Sequence, residues 1–146
     1  MPITSAQKSY LAGFLDGDGS IYVRLKPNKS YQYGFQVSPY VIFFQSSKNR
    51  KSFESLCSLL GFGYMRERKD GILEFTVGRK NDIKQFLSMV KPYVILKKKQ
   101  VDLMEVILKR KEKVNNKNDF VKLMNLIDSF RGLNYSKKRI KHTLTP

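Results

Sequence analysis

Apolar residues recur along this chain in two different periods, and the places where the period changes mark its elements. Thr4 and Gln7 have the spacing of a capping box, and Tyr10, Leu11, Phe14 and Leu15 then follow at helical intervals, so a helix is predicted over about residues 5–15. Asp16-Gly17-Asp18-Gly19 is expected to end it, the paired glycines supplying backbone angles that other residues avoid. From Ser20 the period becomes two. Ile21, Val23 and Leu25 fall on one face of a strand, and Tyr22, Arg24 and Lys26 on the other. After the turn residues Pro27-Asn28-Lys29-Ser30, Phe35, Val37, Val41 and Phe43 resume the alternation, with Gln36, Ser38, Tyr40 and Ile42 between them. Pro39 points to an edge position or a bulge in that second strand.

A helix fits Lys51 to Leu60, with Gly61 as its terminator. Tyr64, Arg66 and Arg68, a Lys69-Asp70-Gly71 turn, and then Leu73, Phe75 and Val77 form a second strand pair. Asn81 is expected to cap a helix that stops before Pro92, and two more helices are predicted at about 98–113 and 119–131. The order α-β-β-α-β-β-α-α-α predicts an α+β fold in one domain spanning residues 1–146. Four antiparallel strands form one sheet with helices on one face, and the additional helices lie C-terminal.

Charge changes the picture next. Among 146 residues, 28 are Lys or Arg and 12 are Asp or Glu, a formal net charge of +16, while 41% are hydrophobic. That apolar content is too high for a disordered polycation, and the charge points to a polyanionic partner whose phosphates release counterions on binding. The single Cys57 excludes an intrachain disulfide and a cysteine-based zinc cluster, and the single His142 excludes chemistry that needs two histidines. No apolar run approaches the roughly 18–20 residues that span a bilayer, so a soluble chain with no membrane partner is expected.

The polar strand faces then become candidates for reading bases. Tyr22, Arg24, Lys26, Gln36, Ser38, Tyr40, Arg66, Arg68, Glu74 and Thr76 share one side of the predicted sheet. Arg and Lys can donate to guanine, Gln can pair with adenine, and Glu can accept from cytosine in a major groove wide enough for β-strands. An ordinary solvated sheet face would look similar. The acidic turn needs its own account, because carboxylates at a helix C-terminus oppose the macrodipole by about 0.3–1 kcal/mol each. A divalent cation such as Mg²⁺ would favour them, since it takes one or two carboxylates together with water and phosphate oxygens. A calcium EF-hand is excluded, because Ile21 and Pro27 stand where that loop needs Gly and Glu.

The stretch from Tyr10 to Ser20, Tyr-Leu-Ala-Gly-Phe-Leu-Asp-Gly-Asp-Gly-Ser, resembles the signature of the LAGLIDADG homing endonucleases, and the element order that follows it also resembles that family. One copy of the motif is present, so the resemblance implies the single-motif branch, similar to the small algal-intron type: a saddle-shaped sheet and a homodimer formed through the first helix. Gly13 and Gly17, four apart with Ala12 beside Gly13, would let two helix backbones approach closely, and the expected interface comprises Leu11, Ala12, Gly13, Leu15, Asp16 and Gly17.

The resemblance implies a double-stranded DNA target and a double-strand break in a long pseudo-palindromic site with short 3′ overhangs. It also implies Mg²⁺ as cofactor, with Mn²⁺ able to substitute, and no small-molecule cofactor. Asp18 carries over as the metal ligand with the carbonyl of Gly17 beside it, Gln45 as the residue that orders water, and Lys97 as the lysine that polarises it. Asp16 is expected to be structural. Where the family has an arginine after Gln45 this chain has Asn49, which leaves Arg50 or Lys48 for that role. By the same resemblance Asn28, Ser30 and Tyr31 sit in a turn that reaches the outer base pairs, and Ser136, Lys137, Lys138 and Arg139 open a basic run that grips phosphates. A chloroplast or mitochondrial intron origin is implied too. The rival readings are a non-cleaving intron-RNA-binding maturase on the same fold and a ribosome-associated structural protein.

Overall fold

The structure, a computed structural model, describes residues 2–134, so Ser136, Lys137, Lys138, Arg139 and His142 lie outside the described residues. Its elements are α1 (Ser5–Asp18), β1 (Gly19–Pro27), β2 (Phe35–Ser46), α2 (Arg50–Ser58), β3 (Tyr64–Glu67), β4 (Ile72–Val77), α3 (Lys80–Val90), α4 (Lys98–Glu112) and α5 (Lys117–Gly132), with a single 3-10 turn at Ser47–Asn49. The fold is α+β, with the four strands in one sheet in the order β1-β2-β4-β3. The β2–β4 and β3–β4 pairs are antiparallel. The expected element order is therefore observed.

Three local expectations are corrected. The Asp-Gly-Asp-Gly stretch does not break α1 at residue 16, because the helix runs through Gly17 to Asp18. Gly19 then leaves it in an extended conformation, φ −106°, and its N–H closes the last turn on the Leu15 carbonyl. Glycine is needed there for space, since a Cβ on Gly19 would lie 2.8 Å from the Leu15 Cα. Arg79, not Asn81, occupies the N-cap of α3, and no side chain caps that end. Pro39 is not on an edge strand, because β2 lies between β1 and β4. The ladder with β4 begins at Val41, two residues beyond Pro39, so the missing N–H interrupts no registered pair there. Among the described residues the contacts fall into two compact units, 2–21 with 40–98 and 22–39 with 99–134. β1 and β2 each run from one unit into the other.

In the first unit the core is aromatic. Phe43 on β2 is 1% exposed, and its ring packs edge-on against Phe14 of α1 at 5.3 Å and Phe86 of α3 at 5.6 Å. Phe14 also meets Phe53 of α2. Three helices therefore cover one sheet face, and burying each large apolar side chain contributes about 1.5–3 kcal/mol. In the second unit α4 and α5 bury Val101, Met104, Ile107, Leu108, Phe120, Leu123, Met124, Ile127 and Phe130. Gln100 at the start of α4 donates to the Leu133 carbonyl beyond the end of α5, at 3.3 Å.

Candidate active site and nucleic-acid interface

The C-terminal end of α1 resolves the two carboxylates differently. The Asp16 carboxylate accepts three backbone N–H bonds from the loop before α4: from Ile95 (2.8 Å), Leu96 (3.0 Å) and Lys97 (3.0 Å). Lys97 returns a bond of its own, its ammonium donating to the Asp16 carbonyl at 2.8 Å. These bonds, one of them from the Lys97 ammonium, offset the unfavourable macrodipole at Asp16. Asp18, one half-turn further on, is exposed and has no hydrogen-bond or ion-pair partner among the described residues. The two carboxylates therefore differ in their surroundings: Asp16 is bonded within the chain, and Asp18 is not bonded to any described residue.

Gln45, near the end of β2, has its amide oxygen engaged by the Ser46 N–H (2.9 Å) and by the Asn49 amide (3.3 Å). Its amide nitrogen is the end left to donate. Asn49, standing where the family has its arginine, is thus the partner of Gln45. Arg50 donates to Glu54, 2.9 Å away and one helical turn on, and also to Glu67. Both carboxylates hold the proton on its guanidinium, raising its pKa. Of the two residues left open for the arginine's role, Lys48 is the exposed cation without a partner among the described residues.

The donor set fits a hard cation. Asp18 supplies one carboxylate and Gly17 a neighbouring backbone carbonyl, and among the described residues no group of three or more His, Cys, Asp or Glu could enclose a metal. Such a set suits a divalent cation that keeps several waters and shares phosphate oxygens, and not one held in a full protein cage.

On the sheet face of the first unit, Arg66 and Arg68 are both held by Glu74, at 3.4 and 3.7 Å, and Arg68 also pairs with Asp70 at 2.7 Å. Such exposed pairs add little stability, but they aim two guanidinium forks outward. Tyr64, 60% exposed, stands on the same face opposite Thr76 in the β3–β4 ladder. Thr76 lies on that face but is covered, 5% exposed between Tyr64 and Ile42. Tyr40 is half-buried there, its ring 3.5 Å from the position of a Cβ on Gly78. In the second unit Arg24 and Lys26 are exposed on β1, and Tyr22, Gln36 and Ser38 are half-buried. Asn28 accepts from both the N–H and the hydroxyl of Ser30, at 3.0 and 2.7 Å, which builds the turn, and Tyr31 projects from it.

The residues of the expected interface on α1 differ in burial within the chain. Leu11, Ala12 and Leu15 are fully buried in the chain's own core and have no surface to offer a partner, whereas Gly13 and Gly17 are exposed with nothing near their Cβ positions. With Tyr10 they form one stripe at intervals of three and four residues. Ile95 and Leu96, 78% and 75% exposed on the loop that Asp16 holds, were not anticipated. Their signal was two apolar residues in a stretch with neither helical nor strand periodicity. Tyr64 had a plainer one, a period of two with Arg66 and Arg68.

A protein-family model described as LAGLIDADG endonuclease matches residues 11–109, from the motif helix into α4. The chain belongs to this family. It is 33% identical over 131 residues to DNA endonuclease I-CreI of Chlamydomonas reinhardtii, covering 89% of this chain and 80% of that one. It is 30% identical to DNA endonuclease I-CvuI of Chlorella vulgaris, with coverages of 90% and 81%. A crystal structure of I-CvuI with the I-CreI target in the presence of Mg, its DNA not cleaved, superposes with a TM-score of 0.86 at 29% identity, over 92% of this chain and 86% of that one.

Proposed function

We propose that this protein is a homing endonuclease that works as a homodimer and hydrolyses both strands of a long, nearly twofold DNA site. The observation that carries this reading is the Asp18 carboxylate, exposed at the end of the motif helix without a protein partner, in a chain of net charge +16. Two such helices packed along the Tyr10, Gly13 and Gly17 stripe would bring two Asp18 groups together, and a twofold protein prefers a near-twofold target. Exposed Ile95 and Leu96 beside that helix end support the same packing.

Asp18 and the Gly17 carbonyl would hold Mg²⁺, or Mn²⁺ in its place. When bound, the cation supplies activation of water and stabilisation of the departing 3′ oxygen. The chain's own residues do the rest. Gln45 orients water through its free amide nitrogen, Lys97 keeps a positive charge at the end of α1, and Arg24, Lys26, Arg66 and Arg68 address bases and phosphates. Cleavage across the central minor groove leaves short 3′ overhangs. An organelle-intron origin belongs to the same proposal and is supported by a Podospora anserina relative named as a protein in an ND4 intron, 24% identical over 119 residues.

The test is incubation with Mg²⁺ and a library of long duplexes, beside Asp18→Asn. The wild type is expected to make a double-strand break at a rare sequence, and the variant to bind that duplex without breaking it. Equal cleavage by both would remove Asp18 from the chemistry, and preferential binding of RNA without cleavage would favour the maturase reading.

A further inference from the structure

We propose that Asp16 is a positioning residue that holds Lys97 in place for the cleavage reaction, an inference that rests on the endonuclease reading above. Asp16 and Lys97 are joined twice and in opposite senses. The Lys97 N–H donates to Asp16 Oδ1 at 3.0 Å, and the Lys97 ammonium donates to the Asp16 main-chain carbonyl at 2.8 Å. The first bond fixes the backbone of the lysine against α1, and the second fixes its far end to the same residue. Between them a four-carbon side chain that is otherwise flexible has both ends tied to one point, in the last turn of α1, two residues before Asp18.

The chemistry of Asp16 suits this task and no other residue type matches it. Oδ2 accepts from both Ile95 and Leu96, and Oδ1 accepts from Lys97, so both ends of the carboxylate are occupied by donors. Asparagine presents one acceptor oxygen and one NH₂, so in either orientation at least one loop N–H would face another donor. Glutamate would reach one methylene further. The clasp also weakens the carboxylate as a competitor of Asp18 for a cation, because three N–H groups already occupy both of its oxygens. A displacement of about 1 Å in a catalytic group can cost on the order of 100-fold in rate, which is the scale of effect expected from loosening Lys97.

The experiment is a double-substitution cycle with Asp16→Asn and Lys97→Met in the full chain, reading single-turnover cleavage and target affinity separately. Asp16→Asn is expected to slow cleavage by roughly 10–100-fold while affinity for the duplex stays within about twofold. In the Lys97→Met background the same substitution should slow cleavage by no more than about threefold, because the residue it acts through is already gone. Losses that multiply in full would overturn the proposal, as would wild-type cleavage by Asp16→Asn.

A second readout, amide hydrogen exchange, does not depend on activity. In Asp16→Asn, protection is expected to fall at Ile95, Leu96 and Lys97 and to persist in α3. Loss of protection throughout the chain would mean that Asp16 carries the fold and not the lysine, and would likewise overturn the proposal. A wild-type protein that cuts no duplex would defeat the endonuclease reading instead, and the exchange pattern would then still decide whether the clasp exists.

Discussion

Lys48 and Arg50 stand two residues apart and should respond differently to removal. Arg50 is committed to Glu54 and Glu67, so Arg50→Ala is expected to leave cleavage near wild type and to lower stability only slightly, as exposed ion pairs contribute little. Lys48→Ala removes a cation with no structural partner among the described residues, and it is expected to slow cleavage by roughly 10–1000-fold with no change in melting temperature. Single-turnover rates beside thermal unfolding curves check both.

Cys57 gives a pH prediction. Burial pushes its thiol up from an ordinary value near 9 to about 12. Between those values the unfolded chain gives up the proton and the folded chain keeps it, so stability is complete below pH 9 and falls as the pH rises toward 12. Denaturant titrations at increasing alkaline pH should show a decline that Cys57→Ala lessens.

Partnerships at this scale were only partly legible in the sequence. The Arg50–Glu54 and Gln45–Asn49 pairs are four residues apart and follow from local spacing, whereas Arg50–Glu67 and the Asp16 bonds depend on how distant segments meet. Residue type alone does not tell Asp16 from Asp18; the resemblance gave them different roles, and the contacts that differ between them come from the distant loop at Ile95–Lys97.

Elements were more legible than partnerships, because the two hydrophobic periods report which face is buried without reference to what buries it. Every helix and strand expected from the pattern is present. The errors fall at ends, where the deciding terms are local: a helix end at Gly19 set by closeness to Leu15, and an α3 start with no capping side chain. The burial of Leu11, Ala12 and Leu15 was within reach too, since these residues form the apolar stripe of α1 and a stripe faces its own core first.

The opposite stripe of α1 makes a two-signed prediction. At Gly13 nothing lies near a Cβ, so Gly13→Leu should raise the stability of α1 within one chain by up to about 1 kcal/mol through helix propensity. The same side chain would stand between two helices in the proposed dimer. Sedimentation should find Gly13→Leu monomeric, with cleavage lost and thermal unfolding of the single chain no worse than wild type.

At the scale of the molecule the surplus of charge governs binding. With 28 basic and 12 acidic residues the protein should bind any duplex at low salt, and its affinity should fall with the logarithm of salt concentration by a slope of about −0.9 per phosphate neutralised. Replacing an exposed cation that meets a phosphate, as proposed for Lys26, should lower that slope by about one on specific and non-specific DNA alike. Replacing Arg66, held beside Glu74, should instead relax preference at one base position and cost about 1–3 kcal/mol on the target. Filter binding across a salt series, on target and scrambled duplexes, separates the two.

The Asp16 clasp has a consequence for the order in which the protein comes into being. It joins positions 79 to 81 residues apart, so a nascent chain has the whole motif helix long before it has the loop that fastens the lysine. Contacts of such separation are slow to close and form late. A ribosome that stalled before Ile95 would release a fragment with its acidic helix end intact and no Lys97 beside it, so under the proposed mechanism the cutter is armed only once synthesis has passed the loop before α4.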